Sequence, residues 1–419
     1  MANASTGGRT TAIGDWLDRR IPWREAVRKH LTEYYAPKNF NTWYAYGALA
    51  LLMLVVQIVS GIFLTMNYKP SADDAFASVE YIMRDVQWGW LIRYVHSTGA
   101  SFFFIVVYLH MFRALLYGSH RAPRELVWLL GMLIFLALMA EAFFGYLLPW
   151  GQTSFWGAQV IVNLFAAVPG IGEWLSETIR GDYAISDVTL NRFFALHVAA
   201  IPLLIVILVF LHIVALHQVG SNNPDGVEIK AKKNADGVPL DGIPFHPYYS
   251  VKDTFCAVVF LCFFAAAVFF APEMGGYFLE YPNFEPANPL KTPEHIAPVW
   301  YFTPFYAMLR AVPPFWGRQV WGVLVMGAAV LILFFLPWLD RSPVKSIRYR
   351  GGIYKSALAA FSLSFVILGA LGTLPPDRIV GGLRLQTYAQ FFTVVYFAFF
   401  LLMPWYSRLD KTRPPPERL

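Results

Sequence analysis

Four histidines stand at matching intervals in two long apolar segments of the sequence. His96 and His110 are 14 residues apart, and His197 and His212 are 15 residues apart. In an α-helix these intervals give about 21 and 22 Å of rise with about 40° and 60° of rotation, so the two histidines of each segment share a helix face. Polar side chains inside a membrane span are costly and tend to be functional. The spacing therefore predicts that the two helices oppose their histidines at two depths.

The opposed histidines, His96 with His197 and His110 with His212, predict two sites for a flat metallocycle. An imidazole on either side fills both axial positions of a haem iron, whereas zinc normally takes more protein ligands. Hydrogen bonding between helices is the simpler explanation of one intramembrane histidine, but it leaves the matched depths unexplained. We therefore predict two non-covalent haems with these four histidines as iron ligands.

Glycines on the neighbouring apolar segments repeat the histidine interval. Gly47 and Gly61 are 14 residues apart, and so are Gly131 and Gly145. Because glycine allows a backbone to approach closely, the shared interval predicts a gap at each haem level. Small residues are common at helix contacts in membranes, so only the repeated interval gives this pattern weight.

Two arginines flank the first histidine segment. Arg93 precedes His96 by three residues, and Arg113 follows His110 by three. A guanidinium near each membrane surface can pair with a carboxylate such as a haem propionate. The alternative explanation is that positive residues are common at the ends of spans.

The whole chain has the composition of an integral membrane protein. Of its 419 residues, 57% are hydrophobic and only 14% are charged, with a mean hydropathy of +0.47. About 20 apolar helical residues suffice to cross a hydrocarbon core. We predict eight such spans, near 42–66, 91–117, 127–149, 190–216, 254–271, 319–339, 356–374 and 387–406.

Charge alternates between the connections. Basic residues are concentrated before the first span and in every second connection after it, while the intervening connections are acidic. The positive-inside rule then places both termini in the cytoplasm. Because the net charge of +6 is dispersed over separate loops, it gives little support to nucleic-acid binding. Cys256 and Cys262 are too few for the four thiolates of an iron–sulfur cluster.

Several longer motifs accompany these features along nearly the whole chain. They read GYLLPWGQTSFWGA at 145–158, NRFFALH at 191–197, GSNNPDG at 220–226, FHPYYSVKD at 245–253 and PVWYFTPFYAMLR at 298–310. In these motifs the chain resembles the cytochrome b family, the membrane subunit of ubiquinol:cytochrome c oxidoreductases. The resemblance implies an all-α integral membrane protein with eight transmembrane helices, the first four forming a di-haem four-helix bundle.

The predicted regions follow from the spans and the resemblance together. They are a cytoplasmic N-terminal segment 1–40, the bundle 41–218, a cytoplasmic connection 219–252, a C-terminal four-helix region 253–407 with the outer quinol-site loop, and a cytoplasmic tail 408–419.

The resemblance also assigns the two haem levels. His96 and His197, here called the outer pair, would ligate a low-potential haem near the outer face of the membrane. His110 and His212, the inner pair, would ligate a high-potential haem near the inner face. Ser119 is a further haem-binding residue by resemblance.

The second histidine interval is unusual. Its 15 residues are one more than in the mitochondrial members of the family. Pro202 lies within the interval, and a kink or local bulge there would restore the facing geometry.

Family members oxidise quinol at an outer site, where the resemblance implies Tyr146, Gly157 and Tyr301. One electron goes to a Rieske iron–sulfur protein, and the other passes inward through both haems to a quinone-reducing site. The chain departs from the family at PVWY, because Val299 replaces the glutamate that is thought to accept a proton from quinol.

Glu294, five residues before Val299, is the acid that we predict takes over this role. The adjacent His295 is a second candidate, since either side chain can accept a proton. The alternative for Glu294 is a solvated loop carboxylate.

The inner quinone site is expected at the end of the fourth span. His217 lies five residues beyond His212, and Lys252 and Asp253 begin the fifth span on the same side. A histidine and a carboxylate converging on a quinone could deliver the two protons that its reduction requires. The resemblance adds Ser221. Interfacial solvation is the ordinary explanation of such residues at helix ends.

The resemblance implies ubiquinone as substrate, a Rieske protein and cytochrome c1 as partners, and a homodimer of the complex surrounded by lipid in a bacterial cytoplasmic membrane. Two other functions stay open. A secondary transporter can use intramembrane histidines, but it predicts broken helices and inverted repeats. A di-haem anchor that serves a dehydrogenase would carry the same haems without a Rieske partner, although the PVWY and PWGQ motifs argue against it.

Overall fold

Helices dominate the fold. A computed structural model describes residues 12–28, 32–314 and 319–419, so the predicted segment 1–40 lies partly outside the described residues. Seven helices in the described part are long and apolar enough to cross a membrane: Thr42–Thr65, Gly89–Tyr117, Glu125–Leu147, Asp187–Val219, Tyr248–Phe270, Val320–Leu339 and Gly352–Gly372. A bent pair, Leu385–Leu401 with Met403–Leu409, provides the eighth candidate. The structure thus confirms the all-α fold, and these elements are called the first to eighth spans below.

The eighth span differs from the expected continuous helix over 387–406. Its two parts meet at Leu402 and are bent by 63°. Pro404 stands in the first turn of the second part. Proline has no N–H to donate to the preceding turn, so it starts a helix well and interrupts one that is already running.

Shorter elements occupy the connections. The short α-helices are Ala12–Asp18, Trp23–Val27, Ala75–Arg84, Gln152–Ala166, Gly172–Arg180 and Thr303–Ala311. The isolated 3₁₀ turns are Ile229–Ala231, Met274–Gly276, Tyr281–Phe284 and Trp300–Phe302. Two antiparallel strand pairs join Tyr35–Pro37 to Gly242–Pro244 and Ile379–Val380 to Leu383–Arg384. The first pair attaches the segment before the first span to the connection after the fourth.

The spans pack as neighbours along a shared core. The first span lies against the second and the third against the fourth, while the fifth packs on the first two. Trp128 of the third span donates from Nε1 to the Leu333 carbonyl of the sixth at 2.8 Å. Large apolar side chains such as Leu203 and Phe263 remain exposed on the outward faces. Outward apolar faces of this kind are typical of helices surrounded by lipid, so the chain is a multi-pass membrane protein.

The fourth span contains the bulge that its histidine interval predicts. Leu196–Ala200 forms a π-helical turn that includes His197, and Pro202 follows directly at the start of the α-helix Ile201–Val219. A π turn takes up one extra residue in a helix. The 15-residue interval to His212 therefore spans about as many turns as the 14-residue interval of the second span.

Two ionic clusters join loops at the end of the bundle that carries the inner pair. Asp340 binds the Arg350 guanidinium and lies 3.2 Å from His120 Nε2, all three being buried. Glu228 accepts from both terminal nitrogens of Arg124 at 2.7 and 2.9 Å. Partial burial raises the pKa of Glu228, but hydrogen bonds and charge from Arg124 and Lys345 outweigh it and lower the pKa to about 2.

Candidate haem and quinone sites

The second and fourth spans bring together the histidine pairs that the spacing predicts. In the outer pair the ring centroids of His96 and His197 are 6.0 Å apart, with the planes at 88°. In the inner pair the centroids of His110 and His212 are 6.4 Å apart, with the planes at 62°. Two metal–imidazole bonds of about 2 Å each, added to the ring radii, span about this distance. Both separations therefore fit one metal ion held from two sides.

Each predicted glycine lies against one of these imidazoles. At three positions an added Cβ would lie 3.1 to 3.3 Å from a histidine Cε1: Gly61 with His96, Gly47 with His110, and Gly131 with His212. At Gly145 an added Cβ would overlap the His197 ring. The first and third spans thus leave the rings room that any larger residue would fill, and Gly145 is the tightest position.

Hydrogen bonds fix the tautomer of the outer pair. The Ser60 hydroxyl donates to the Val56 carbonyl at 2.6 Å and lies 3.0 Å from His96 Nδ1, so it accepts from that nitrogen. His197 Nδ1 lies 2.9 Å from the Glu141 carbonyl and 3.0 Å from its carboxylate, which can only accept. Both Nδ1 atoms therefore carry a proton, and both Nε2 atoms are left to bind a metal.

The inner pair has a different environment. His110 Nδ1 has no hydrogen-bond partner among the described residues, and the group that faces His212 is the Val127 backbone, with no side-chain acceptor. The positions 14 residues before Ser60 and Glu141 are Tyr46 and Val127. At the inner level, a tyrosine and a valine thus stand at the positions that hold a serine and a glutamate at the outer level.

The predicted propionate partners have different surroundings. Arg93 lines the same cavity as His96. Arg113 lies over the Tyr44 ring at 4.8 Å, and its Nε has no hydrogen-bond partner in the described part of the chain. A buried guanidinium with spare donors fits an incoming carboxylate. Ser119, the further predicted haem contact, has its Oγ 3.3 Å from Asn222 Nδ2.

One cavity joins the outer histidines to the predicted quinol residues. It has a volume of about 300 Å³, and His96, His197, Tyr146, Tyr301 and Val299 all line it. Most of the other lining side chains are apolar, and they come from the first four spans, the connection at 68–82 and the loops at 278–283 and 299–301. The space thus includes the gap between the outer imidazoles and continues to Tyr146, Tyr301 and Val299, with the mainly apolar walls that are typical of ligand sites.

Tyr146 provides a polar group at the end of this cavity. Its hydroxyl donates to Glu280 Oε2 at 3.1 Å, and an added Cβ on Gly157 would lie 3.4 Å from its ring. Tyr301 is buried and stacks on Phe104 with the centroids 3.9 Å apart. Burial raises the pKa of the Glu280 carboxyl to about 7.

Glu294 lies elsewhere. Its side chain is exposed, and it is not one of the residues that line the cavity. The neighbouring His295 is also exposed and has its Nε2 3.0 Å from the Thr373 carbonyl. The structure therefore does not bring the predicted substitute acid to Tyr146 and Tyr301.

The predicted inner quinone residues form two groups separated by aromatic rings. His217 stacks on Tyr34 with the centroids 4.6 Å apart, and the Tyr34 hydroxyl lies 3.5 Å from Ser221 Oγ. Lys252 lies over the Tyr249 ring at 5.2 Å. Asp253 follows Lys252 in the fifth span and is partly buried. Phe245 contacts both tyrosine rings and so connects the groups.

Three residues of the outer region were missed by sequence reasoning: Ser60, Glu141 and Glu280. Glu141 carried a usable signal, because a carboxylate inside an apolar span four residues before Gly145 is costly unless it has a function. Ser60 and Glu280 carried none, since a hydroxyl in a span and an acid in a loop are both common.

Two opposed histidine pairs within a bundle of membrane spans, beside an apolar cavity, define a membrane protein of the di-histidine cytochrome type. The family described as Cytochrome b/b6/petB matches residues 31–220, and Cytochrome b(C-terminal)/b6/petD matches residues 286–397. The chain belongs to the cytochrome b family.

Similar proteins cover almost the whole chain. The cytochrome b of Allochromatium vinosum is 65% identical over 408 residues, which are 96% of this chain and 97% of that protein. The cytochrome b/c1 of Bradyrhizobium diazoefficiens is 44% identical over 96% of this chain and 56% of its own length. A solved hyperthermophilic respiratory Complex III contains a chain with a TM-score of 0.83 and 41% identity, covering 93% of this chain and 97% of that one.

These similarities place the chain in a respiratory assembly of several subunits. It is the catalytic membrane subunit of a quinol:cytochrome c oxidoreductase of the complex III type, with haem b as the cofactor that its family implies.

Proposed function

We propose that the chain holds two b-type haems between its second and fourth spans and carries electrons from an outer quinol-oxidising site to an inner quinone-reducing site. The observation that carries this proposal is the pair of opposed imidazoles at each of two levels, with ring separations of 6.0 and 6.4 Å. Glycine backbones face the imidazoles at both levels, which supports a flat ligand there.

The chain's own residues perform the binding. The two irons would be bound through the Nε2 atoms of four histidines: His96, His197, His110 and His212. The haem propionates would be bound by Arg93 and Arg113. Bound haem supplies an iron that gains and loses one electron. In the outer pair, Ser60 and Glu141 hold the Nδ1 protons and fix the ring orientation, which is the usual role of groups behind a metal-bound histidine. Gly47, Gly61, Gly131 and Gly145 keep space beside the rings, and Ser119 adds a contact at the inner level.

The outer haem would take up the part of the cavity between His96 and His197, so ubiquinol is oxidised in the part lined by Tyr146, Tyr301 and Val299. Tyr146 and Tyr301 give it polar contacts, and Gly157 leaves room beside Tyr146. Because the cavity reaches the outer histidines, a quinol bound there lies next to the first electron acceptor. Buried apolar walls also keep bulk water away from the reacting group.

Ubiquinone is reduced near the other end of the bundle. His217 and Asp253 supply protons, while Ser221 and Lys252 bind the quinone carbonyls. The rings of Tyr34 and Phe245 support this site from the N-terminal segment and the connection after the fourth span. Proton uptake on one side and release on the other then contributes to a proton gradient, as in a Q cycle.

The remaining redox centres belong to partners. The chain has two cysteines and no CxxCH motif, so an iron–sulfur cluster and a c-type haem come from a Rieske protein and a cytochrome c1. The relative named cytochrome b/c1, of which this chain covers 56%, supports the second partner. The complex is a homodimer in the bacterial inner membrane, with both termini of this chain in the cytoplasm and lipid around its spans.

Redox titration of the purified complex tests the haem proposal. The reduced-minus-oxidised visible spectrum is expected to show a b-type band that titrates in two steps. The pyridine haemochrome assay is expected to give two b-type haems for each copy of this chain. A spectrum without that band would favour a transporter. Two titration steps without ubiquinol:cytochrome c reductase activity would favour a di-haem anchor.

A further inference from the structure

The outer cavity lacks an acid at the position that the PVWY motif would give it. Val299 is buried, lines the cavity and cannot take up a proton. Oxidation of a quinol to a quinone releases two protons with two electrons, so a proton acceptor is required nearby. The lining polar group best placed to begin a proton path is the Tyr146 hydroxyl, whose hydrogen bond leads out of the cavity.

That hydrogen bond ends on Glu280. The loop after the fifth span places Phe278 and Leu279 in the cavity wall, and Glu280 follows them directly. Its carboxylate accepts from Tyr146 at 3.1 Å. The next residue, Tyr281, is 59% exposed, so Glu280 lies at the boundary between the cavity wall and the loop surface.

We propose that Glu280, acting through Tyr146, receives one of the protons released when quinol is oxidised. The inference rests on the proposed function and adds to it the acid that the motif lacks. Glu280 does not line the cavity itself, so it acts through the tyrosine as a proton relay.

The two proton transfers are concerted. A quinol hydroxyl gives its proton to the Tyr146 oxygen while Tyr146 gives its own proton to the Glu280 carboxylate. Tyr146 ends as a neutral phenol, and Glu280 ends as a neutral carboxylic acid that later releases the proton at the loop surface. Of the two electrons, one would be accepted by the haem that His96 and His197 would hold and the other by the iron–sulfur partner, which would also accept the second proton.

The electrostatics suit a group that must both take and release a proton. Burial raises the pKa of Glu280 to about 7, near the value at which a general base works best. The titratable groups that face it are Tyr146 from the third span and Tyr301 from the turn at 300–302. Both are neutral phenols at this pH, so neither holds Glu280 permanently ionised.

The test compares glutamine variants of three acids in the intact complex. E280Q is expected to lower kcat for ubiquinol:cytochrome c reduction at least tenfold and to remove the rise of kcat with pH around 7. E280D should restore part of the kcat and part of its dependence on pH. Y146F should abolish the same pH dependence, and the double variant E280Q/Y146F should have the same kcat as E280Q alone. E285Q is the matched control, because Glu285 lies in the same loop with an exposed side chain.

If E280Q keeps the wild-type pH profile, or if E294Q loses it instead, Glu280 is not the acceptor. The haem spectrum of each variant shows whether the complex has assembled, and E280D covers the case in which E280Q does not. If the wild-type complex itself binds no haem or oxidises no quinol, it is the proposed function that fails, and not this assignment alone.

Discussion

The outer and inner histidine levels use the same backbone plan with different side chains. At each level a glycine of the first span and a glycine of the third span face one imidazole each. Behind the outer imidazoles stand the Ser60 hydroxyl and the Glu141 carboxylate, whereas the positions 14 residues earlier hold Tyr46 and Val127. Helix geometry therefore sets where a ligand is held, and the residues behind the ring set its electronic surroundings.

The loop carboxyl groups near the two histidine levels also have different partners. Glu228 near the inner level is paired with two cations, and Glu280 near the outer level is paired with a phenol. The first carboxyl is held ionised, while burial favours the neutral form of the second. A permanently charged group suits a structural contact, and a group that can change its charge suits proton transfer.

The largest expected effect is the loss of one haem when one histidine of a level is replaced. H197A is expected to remove the outer haem and H212A the inner haem, because a single imidazole holds iron far less firmly than two. Haem content should fall from two to one for each copy of the chain, and one of the two redox titration steps should disappear. Loss of both steps from either variant would show that the levels do not bind haem independently.

The glycines give a graded test of the shared plan. G145A is expected to cost about 1–3 kcal/mol through overpacking against His197, with loss of much of the outer haem. G131A needs a shift of only a few tenths of an ångström at His212 and should keep its haem. Haem content and thermal midpoints of the two purified variants measure the difference. Equal losses in both would mean that the closer contact at Gly145 has no consequence.

Glu141 tests the electronic difference between the levels. A carboxylate that accepts from Nδ1 makes the imidazole a more basic ligand and stabilises oxidised iron. E141Q is therefore expected to raise the midpoint potential of the outer haem and to leave that of the inner haem unchanged. V127A, the matched change at the inner level, should shift neither. A potentiometric titration that shows no shift in E141Q would remove this explanation.

How far the sequence could predict these features depends on whether helix regularity was sufficient. The histidine pairing needed only 1.5 Å and about 100° per residue, and the extra residue before His212 required a bulge that Leu196–Ala200 supplies. The contact between Tyr146 and Glu280 joins the third span to a loop 134 residues later, and no periodicity encodes it. Closeness to Val299 in sequence led to Glu294, and the sequence could not show that this side chain is exposed and does not line the cavity.

Smaller effects are expected on the dependence of stability on pH, and the first concerns Glu228. Its pKa of about 2 lies below the ordinary value of 4.5, so the folded protein binds fewer protons than the unfolded chain between these values. The ion pairs therefore stabilise the fold above pH 4.5, and the stabilisation is lost as the pH falls towards 2. Because about a third of the Glu228 side chain is exposed, screening limits the effect of E228Q at pH 7 to about 1 kcal/mol.

Glu280 should show the opposite dependence, which makes it the natural comparison for E228Q. Its pKa is raised from 4.5 to about 7, so the folded state is destabilised relative to the unfolded chain as the pH rises from 4.5 to 7. E280Q has no carboxyl to ionise, so its thermal midpoint should rise relative to that of the wild type as the pH increases from 4.5 to 7. E228Q should have a lower thermal midpoint than the wild type at pH 7, and this difference should disappear as the pH falls below 4.5. Thermal unfolding of the three proteins at several pH values measures both trends. If both variants moved in the same direction, the charge difference between the two ends would not govern their stability.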